Sequence, residues 1–220
     1  METVYTAAGK ISLQRHGDVL YPVIRCNGTE KQITRKEMIL WSILVNTVMT
    51  KSQLEMSYKE KATQFFEEND TFFEILHRLE ERNLIVRGKG ETNKEAIYDL
   101  LKGVYMTPIK INLLFKISGF FYLWFCKKIP FSQSIHVFKK YKLTKQERYI
   151  LDLVKKGIVS AFEILEHIKN EKQNQWKKKE DFLNEAVFSK KEDFSEEIKT
   201  ILHLYERGFF YLDVLYEYET

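Results

Sequence analysis

Thr34–Val45 reads TRKEMILWSILV and Thr144–Val154 reads TKQERYILDLV; the fold turns on the second being a copy of the first. Each opens Thr-x-x-Glu. In that pairing the Thr hydroxyl accepts from a first-turn N–H, while the Glu reaches back to the cap and satisfies a second orphan donor. Each continues into an apolar run at helical spacing, Met38, Ile39, Leu40, Trp41 and Ile43 in one, Tyr149, Ile150, Leu151 and Leu153 in the other. A second short polar residue follows each cap at the same distance, Thr50 after Thr34 and Ser160 after Thr144 (50 − 34 = 160 − 144 = 16). Two such starts predict a helix, a tight turn and a second helix, with Gly157 in the turn of the later copy.

A third element recurs farther out. Thr71-Phe72-Phe73-Glu74 opens a helix that ends Glu81-Arg82-Asn83-Leu84-Ile85, and its counterpart ends Glu206-Arg207-Gly208-Phe209-Phe210. Asn83 and Gly208 are residue types that tolerate a left-handed helix stop, and each leads into an apolar, strand-like run. The caps differ by 144 − 34 = 110 and the helix ends by 207 − 82 = 125, so the later copy carries an insertion. It falls in the polar stretch around 170–191.

The chain thus divides into an N-terminal leader (1–30), a first unit (31–103), a connector (104–142) and a second unit (143–220). The leader holds a β-hairpin in which Ile11-Ser12-Leu13 and Val19–Ile24 flank Gly17-Asp18, and a further helix starts near Thr92. The expected fold class is mainly α with small β-hairpins, two three-helix units joined by an apolar helical segment. That segment, IKINLLFKISGFFYLWFC from Ile109 to Cys126, carries Lys110 and Lys116. A spanning helix needs about 20 apolar residues and a central lysine is costly there, so no membrane span is expected. So apolar a segment must be covered by the two units, by a second subunit or by lipid; cover by protein is expected, with Leu113, Ile117, Phe120, Phe121 and Trp124 at the core of a homodimer interface.

Three helices followed by a strand pair resemble the winged helix-turn-helix fold of transcription regulators, in tandem here. The resemblance covers most of 31–101 and, less closely, 144–220, where only YLDVLYEYET follows Phe210. It rests on pattern, not on an invariant motif. It implies a DNA-binding transcription regulator whose helix 71–83 enters the major groove and whose turn 87–90, Arg87-Gly88-Lys89-Gly90, is the wing. The residues it points to are His77, Arg78, Glu81 and Arg82 on the helix, with Arg87 and Lys89 in the wing. Arginine forks onto guanine and lysine neutralises phosphate.

The charge balance is mixed, 35 Lys+Arg against 31 Asp+Glu for a net +4, and Glu74, Glu80 and Glu81 share the third helix with its arginines. A tandem scaffold that binds protein without touching DNA is the alternative implied by those carboxylates. Basic runs lie elsewhere, at Lys139-Lys140, Lys142, Lys145 and Lys177–Lys179. No phosphate loop, metal-ligand spacing or nucleophile elbow is present, and the five histidines stand singly. No enzyme activity, metal or cofactor is therefore expected. Cys26 and Cys126 follow no metal or redox spacing and suit two thiols in a reducing cytoplasm.

Overall fold

Residues 2–7 form the strand that organises the first half of the molecule. In the computed structural model, which describes residues 1–62, 71–109, 142–157, 160–168 and 195–214 together with 130 and 170, this strand β1 (Glu2–Ala7) lies between two others. Its antiparallel neighbours are the short β5 (Met49–Thr50) and β6 (Ile85–Gly90), with Val4 opposite both Thr50 and Gly88. Val4, Tyr5, Thr6 and Ala7 are all buried. A strand covered on both faces shows no alternation, which is why its sequence carries no clear strand signal.

After β1 the chain makes a three-stranded meander, β2 (Lys10–His16), β3 (Val19–Cys26) and β4 (Thr29–Gln32). The helix pair follows. Helix α1 (Arg35–Leu44) is capped by Thr34 and Glu37 in a full capping box, and α2 (Lys51–Ala62) starts where Thr50 exchanges hydrogen bonds with Gln53. Helix α3 (Phe72–Glu81) has its own capping box, Thr71 with Glu74. It stops at Asn83, whose φ of 48 to 55° class is shared by Asn27 and Asn46 and whose own value is 52°. There Leu84 N–H reaches back to the Leu79 carbonyl and Asn83 N–H to that of Glu80, which satisfies two orphan acceptors.

Beyond β6 comes α4 (Asn93–Lys102), capped by Thr92 and Glu95, and then β7 (Val104–Pro108). The second half supplies α5 (Lys145–Lys155), a helical stretch α6 over 161–168, α7 (Ser195–Glu206) and β8 (Phe210–Val214). β7 pairs with β8, and Tyr105 bridges Ser160, just as β1 pairs with β6 and meets Thr50. Gly208 (φ 69°) closes α7 by the same two backward bonds that Asn83 uses, Phe209 to Leu204 and Gly208 to Tyr205. α5 runs one residue past the counterpart of the α1 terminus, and its left-handed turn residue shifts accordingly, from Asn46 to Gly157.

Two corrections follow. The protein is not mainly α: its described residues carry eight strands in three small antiparallel sheets, so helices and sheets share the structure. β1 and β7 went unread because they are short, lie partly or wholly in the core and pair with residues far along the chain. Second, the turn expected over 87–90 is the end of strand β6. Its glycines serve close packing, not turning: a Cβ on Gly88 would sit 2.1 Å from the Ala96 carbonyl oxygen, and one on Gly90 2.4 Å from the Ala96 nitrogen. Helix α4 therefore lies directly on the strand, where the resemblance implied a wing.

The halves interlock. One core cluster joins Val4, Ala96 and Leu100 to Ile150, Ile164, Leu204 and Phe210, while the other holds Trp41, Leu54, Ile75 and Leu79 around β1 and β3. Thr6 gives its hydroxyl proton to the Thr47 carbonyl at 2.8 Å, so the Tyr205 hydroxyl, 2.8 Å away, donates to Thr6 Oγ1. Burial pushes that phenol up to about 12. Asp213, buried on β8, accepts from Cys26 Sγ (2.9 Å) and from the Asn27 N–H (3.0 Å). The Cys26 thiol is raised to about 12, first by burial and then by its bond to Asp213. Of the connector, only 104–109, 130 and 142 belong to the described residues, and 104–108 is strand; Leu113, Ile117, Phe120, Phe121 and Trp124, expected at a dimer interface, lie outside them, as does most of 170–191. Among the described residues no helix is long and apolar enough to cross a membrane.

Candidate nucleic-acid interface

Helix α3 presents its outer face because its inner one is consumed by packing: Phe72, Ile75, Leu76 and Leu79 are buried at i, i+3, i+4, i+7 spacing. His77 and Glu81 are left exposed, with Arg78 half-buried beside them. The arginines turn out to have a structural partner. Glu37, the N3 residue of α1, is almost fully buried, and its Oε1 lies 3.6 Å from Arg78 Nε and 3.2 Å from Arg82 NH1. Arg82 also donates to the Gln32 carbonyl, and Lys31 Nζ donates to the Arg82 carbonyl at 2.5 Å. Strand β4 thus lies over this carboxylate–guanidinium clamp.

The other expected contacts are spread over two elements. His77 Nε2 is 3.3 Å from Glu81 on the same helix, and Arg87 NH1 is 3.6 Å from Glu80. Arg87 and Lys89 are exposed two residues apart on β6, hence on one face of that strand. The backbone N–H of Lys89 is held by Asp99 of α4 at 2.9 Å. The structure therefore brings Arg78 and Arg82 together, sets Arg87 near α3 through Glu80, and leaves Lys89 farther along the strand. The His77–Glu81 pair is solvent-exposed, and such pairs are worth only about 0–1 kcal/mol. Arg87 is exposed beside a mostly buried Glu80 carboxylate, and Arg82 is fastened to the buried carboxylate of Glu37.

The second half repeats the clamp. Glu147, N3 of α5 and equally buried, receives the Thr144 N–H at 2.7 Å and faces Arg207 NH1 at 2.8 Å and His203 Nδ1 at 3.3 Å. Its carboxyl is held below the usual carboxylate range, first by the Thr144 backbone bond, with the Thr144 hydroxyl, Arg207 and His203 adding to it against the effect of burial. His203 and Arg207 stand at the counterparts of Arg78 and Arg82 (203 − 78 = 207 − 82 = 125). Here the clamp floors an open concavity of about 710 Å³, edged by Lys142, Lys145, Gln146, Lys199 and Thr200. Applying the two offsets, 110 to the first helix and 125 to the third, collects these residues from the sequence; surveying basic runs one at a time does not. Among the described residues no group of three or more His, Cys, Asp or Glu is placed to hold a metal. No protein-family model matches the chain, and neither a curated protein nor a solved structure similar to it was found.

Proposed function

We propose that this protein is a DNA-binding transcription regulator that acts by binding, without catalysis, and that α3 is its reading helix. The observation that supports this is the mounting of α3: capped at Thr71, fastened from behind through Arg82 and Glu37, with His77 exposed, Arg78 part-exposed at the edge of the clamp and Arg87 nearby on β6. Rigid presentation of a few donors is what base readout needs. Arg82 is withdrawn from the contact set, because its guanidinium is committed to Glu37 and Gln32. Pairing of two copies through 109–126 belongs to the same proposal, and sedimentation of the purified chain at micromolar concentration tests it.

The test of DNA binding is selection of genomic fragments by the purified protein at low and moderate salt. Arg78→Ala is expected to relax preference at one base position by about 1–3 kcal/mol, and Lys89→Ala to weaken all sequences alike. Binding unchanged in both variants overturns α3 as the reading helix. A second reading, docking of a protein partner on α3, is favoured by Glu74, Glu80 and Glu81 on that helix and by the exposed Phe73 and Met56. Retention of a protein partner at salt that abolishes DNA binding selects it.

A further inference from the structure

We infer that the open concavity between α5 and α7 is a second binding site, one that takes the phosphate backbone of a nucleic acid. Lys142 and Lys145 are exposed on its rim and have no ion-pair partner among the described residues. Lys199, on the opposite wall, meets only the exposed Glu196 at 3.3 Å. The one carboxylate in the lining, Glu147, points into the protein, where Thr144, His203 and Arg207 occupy it. An anion entering the site thus meets three lysines on flexible stems and no free carboxylate. The first turn of α5 adds the positive end of a helix dipole from the same wall.

The counterpart surface in the first half explains why this one is singled out. Lys142 stands where that half has Gln32, and Lys199 where it has Glu74 (142 − 110 = 32; 199 − 125 = 74). There Gln32 and Lys31 of β4 close over the clamp and bond to Arg82. Thus the position that closes one clamp with a neutral residue bears a free cation at the other, and an acidic wall position has become basic. Lysines without partners release bound counterions when they meet phosphates, which gives affinity without sequence preference. The site is suited to anchoring a duplex that α3 reads, so the identity of the polyanion rests on the DNA reading above; the phosphate chemistry does not.

The experiment measures anisotropy of a labelled random-sequence duplex, and displacement by inorganic polyphosphate, against salt. Four proteins are compared: wild type, Lys142→Glu/Lys145→Glu, the milder Lys142→Gln/Lys145→Gln, and a charge-matched control, Lys10→Glu/Lys61→Glu, at exposed lysines away from the site. The niche variants are expected to lose affinity for both ligands on the order of tenfold per lysine near ~50 mM salt, and the salt slope to fall by about two. The control should lose far less. Equal losses in niche and control variants overturn the site while leaving duplex binding through α3 in place. Polyphosphate binding that the niche variants abolish, with no duplex binding by wild type, supports the site and overturns the DNA reading. Wild type that binds neither ligand overturns both.

Discussion

The two clamps share one chemistry and differ in their surroundings. In each, the glutamate of a capping box is buried and takes two basic side chains four residues apart on the third helix. Around Glu37 the clamp is covered: β4 lies over it, and Arg82 is shared between the carboxylate and the Gln32 carbonyl. Around Glu147 it is a floor beneath an opening ringed by lysines. The same buried ion pair therefore serves two ends. In the first half it fixes α3 against the body of the protein, and in the second it turns the local carboxylate inward and leaves cations facing out. Burial follows the opening only at the outer position, where the His203 side chain is 60% exposed against 42% for Arg78; the inner Arg207 is the more buried of its pair, 19% against 34% for Arg82.

The largest effect is expected at the floor of the open site. Glu147→Ala removes a cap acceptor and the carboxylate that faces a mostly buried guanidinium, at a cost of about 3 kcal/mol; Glu37→Ala, whose arginine is wetter and keeps the Gln32 carbonyl, should cost about 2. Urea midpoints measure both, and a larger loss at Glu37 would reverse the comparison. The pH dependence has a definite sign. Because the folded Glu147 carboxyl titrates below its usual 4.5, its contribution is complete above that pH and is lost as pH falls through the depressed value. The gap between wild type and Glu147→Gln should accordingly narrow as the pH falls below 4.5.

Next in size is the tie that keeps the covering meander in place. Asp213→Ala takes the acceptor from the part-buried Asn27 N–H and leaves the Cys26 thiol only the Asn83 carbonyl at 3.3 Å, a loss of about 2 kcal/mol. With its thiol near 12, Cys26 is about one part in ten thousand thiolate at pH 8, so it should resist a thiol reagent in the folded protein. Faster labelling in the Asp213 variant, under conditions where the rest stays folded, would mark loosening of the meander that covers the first clamp. Equal labelling rates would place the covering elsewhere.

Tyr205→Phe should cost about 1 kcal/mol, since Thr6 keeps its bond to the Thr47 carbonyl and only the phenol's share is lost. The smallest effect, below about 1 kcal/mol, is expected for Lys31→Ala, which removes one bond over the covered clamp. If that substitution alone raises polyanion binding in the first half, covering is what separates the two sites.

Much of the local structure was legible from residues close together in the chain. Thr34 with Glu37, Thr71 with Glu74, Thr92 with Glu95 and Thr144 with Glu147 mark helix starts because a cap is complete within four residues. Asn83 and Gly208 mark helix stops for the same reason, and the strands flanking Gly17-Asp18 lie where that turn and the apolar stretches on either side of it put them. Reading Gly88 and Gly90 as a wing tip failed because a glycine needed for a turn and one needed for close approach look alike in sequence. β1 escaped notice because a strand buried on both sides has no alternation to show.

Where the capped helices start and stop, and that the Thr-x-x-Glu opening and the basic pair of the third helix both occur twice, can be read along the chain, because those features depend on neighbours within a turn or two. What each cation faces depends on long-range packing. Glu37 meets Arg82 across 45 residues and Glu147 meets Arg207 across 60, and Asp213 holds the Asn27 turn across 186. A charge reaches a buried partner or stays in solvent according to which distant strand lies over it, and that depends on the packing of the whole chain.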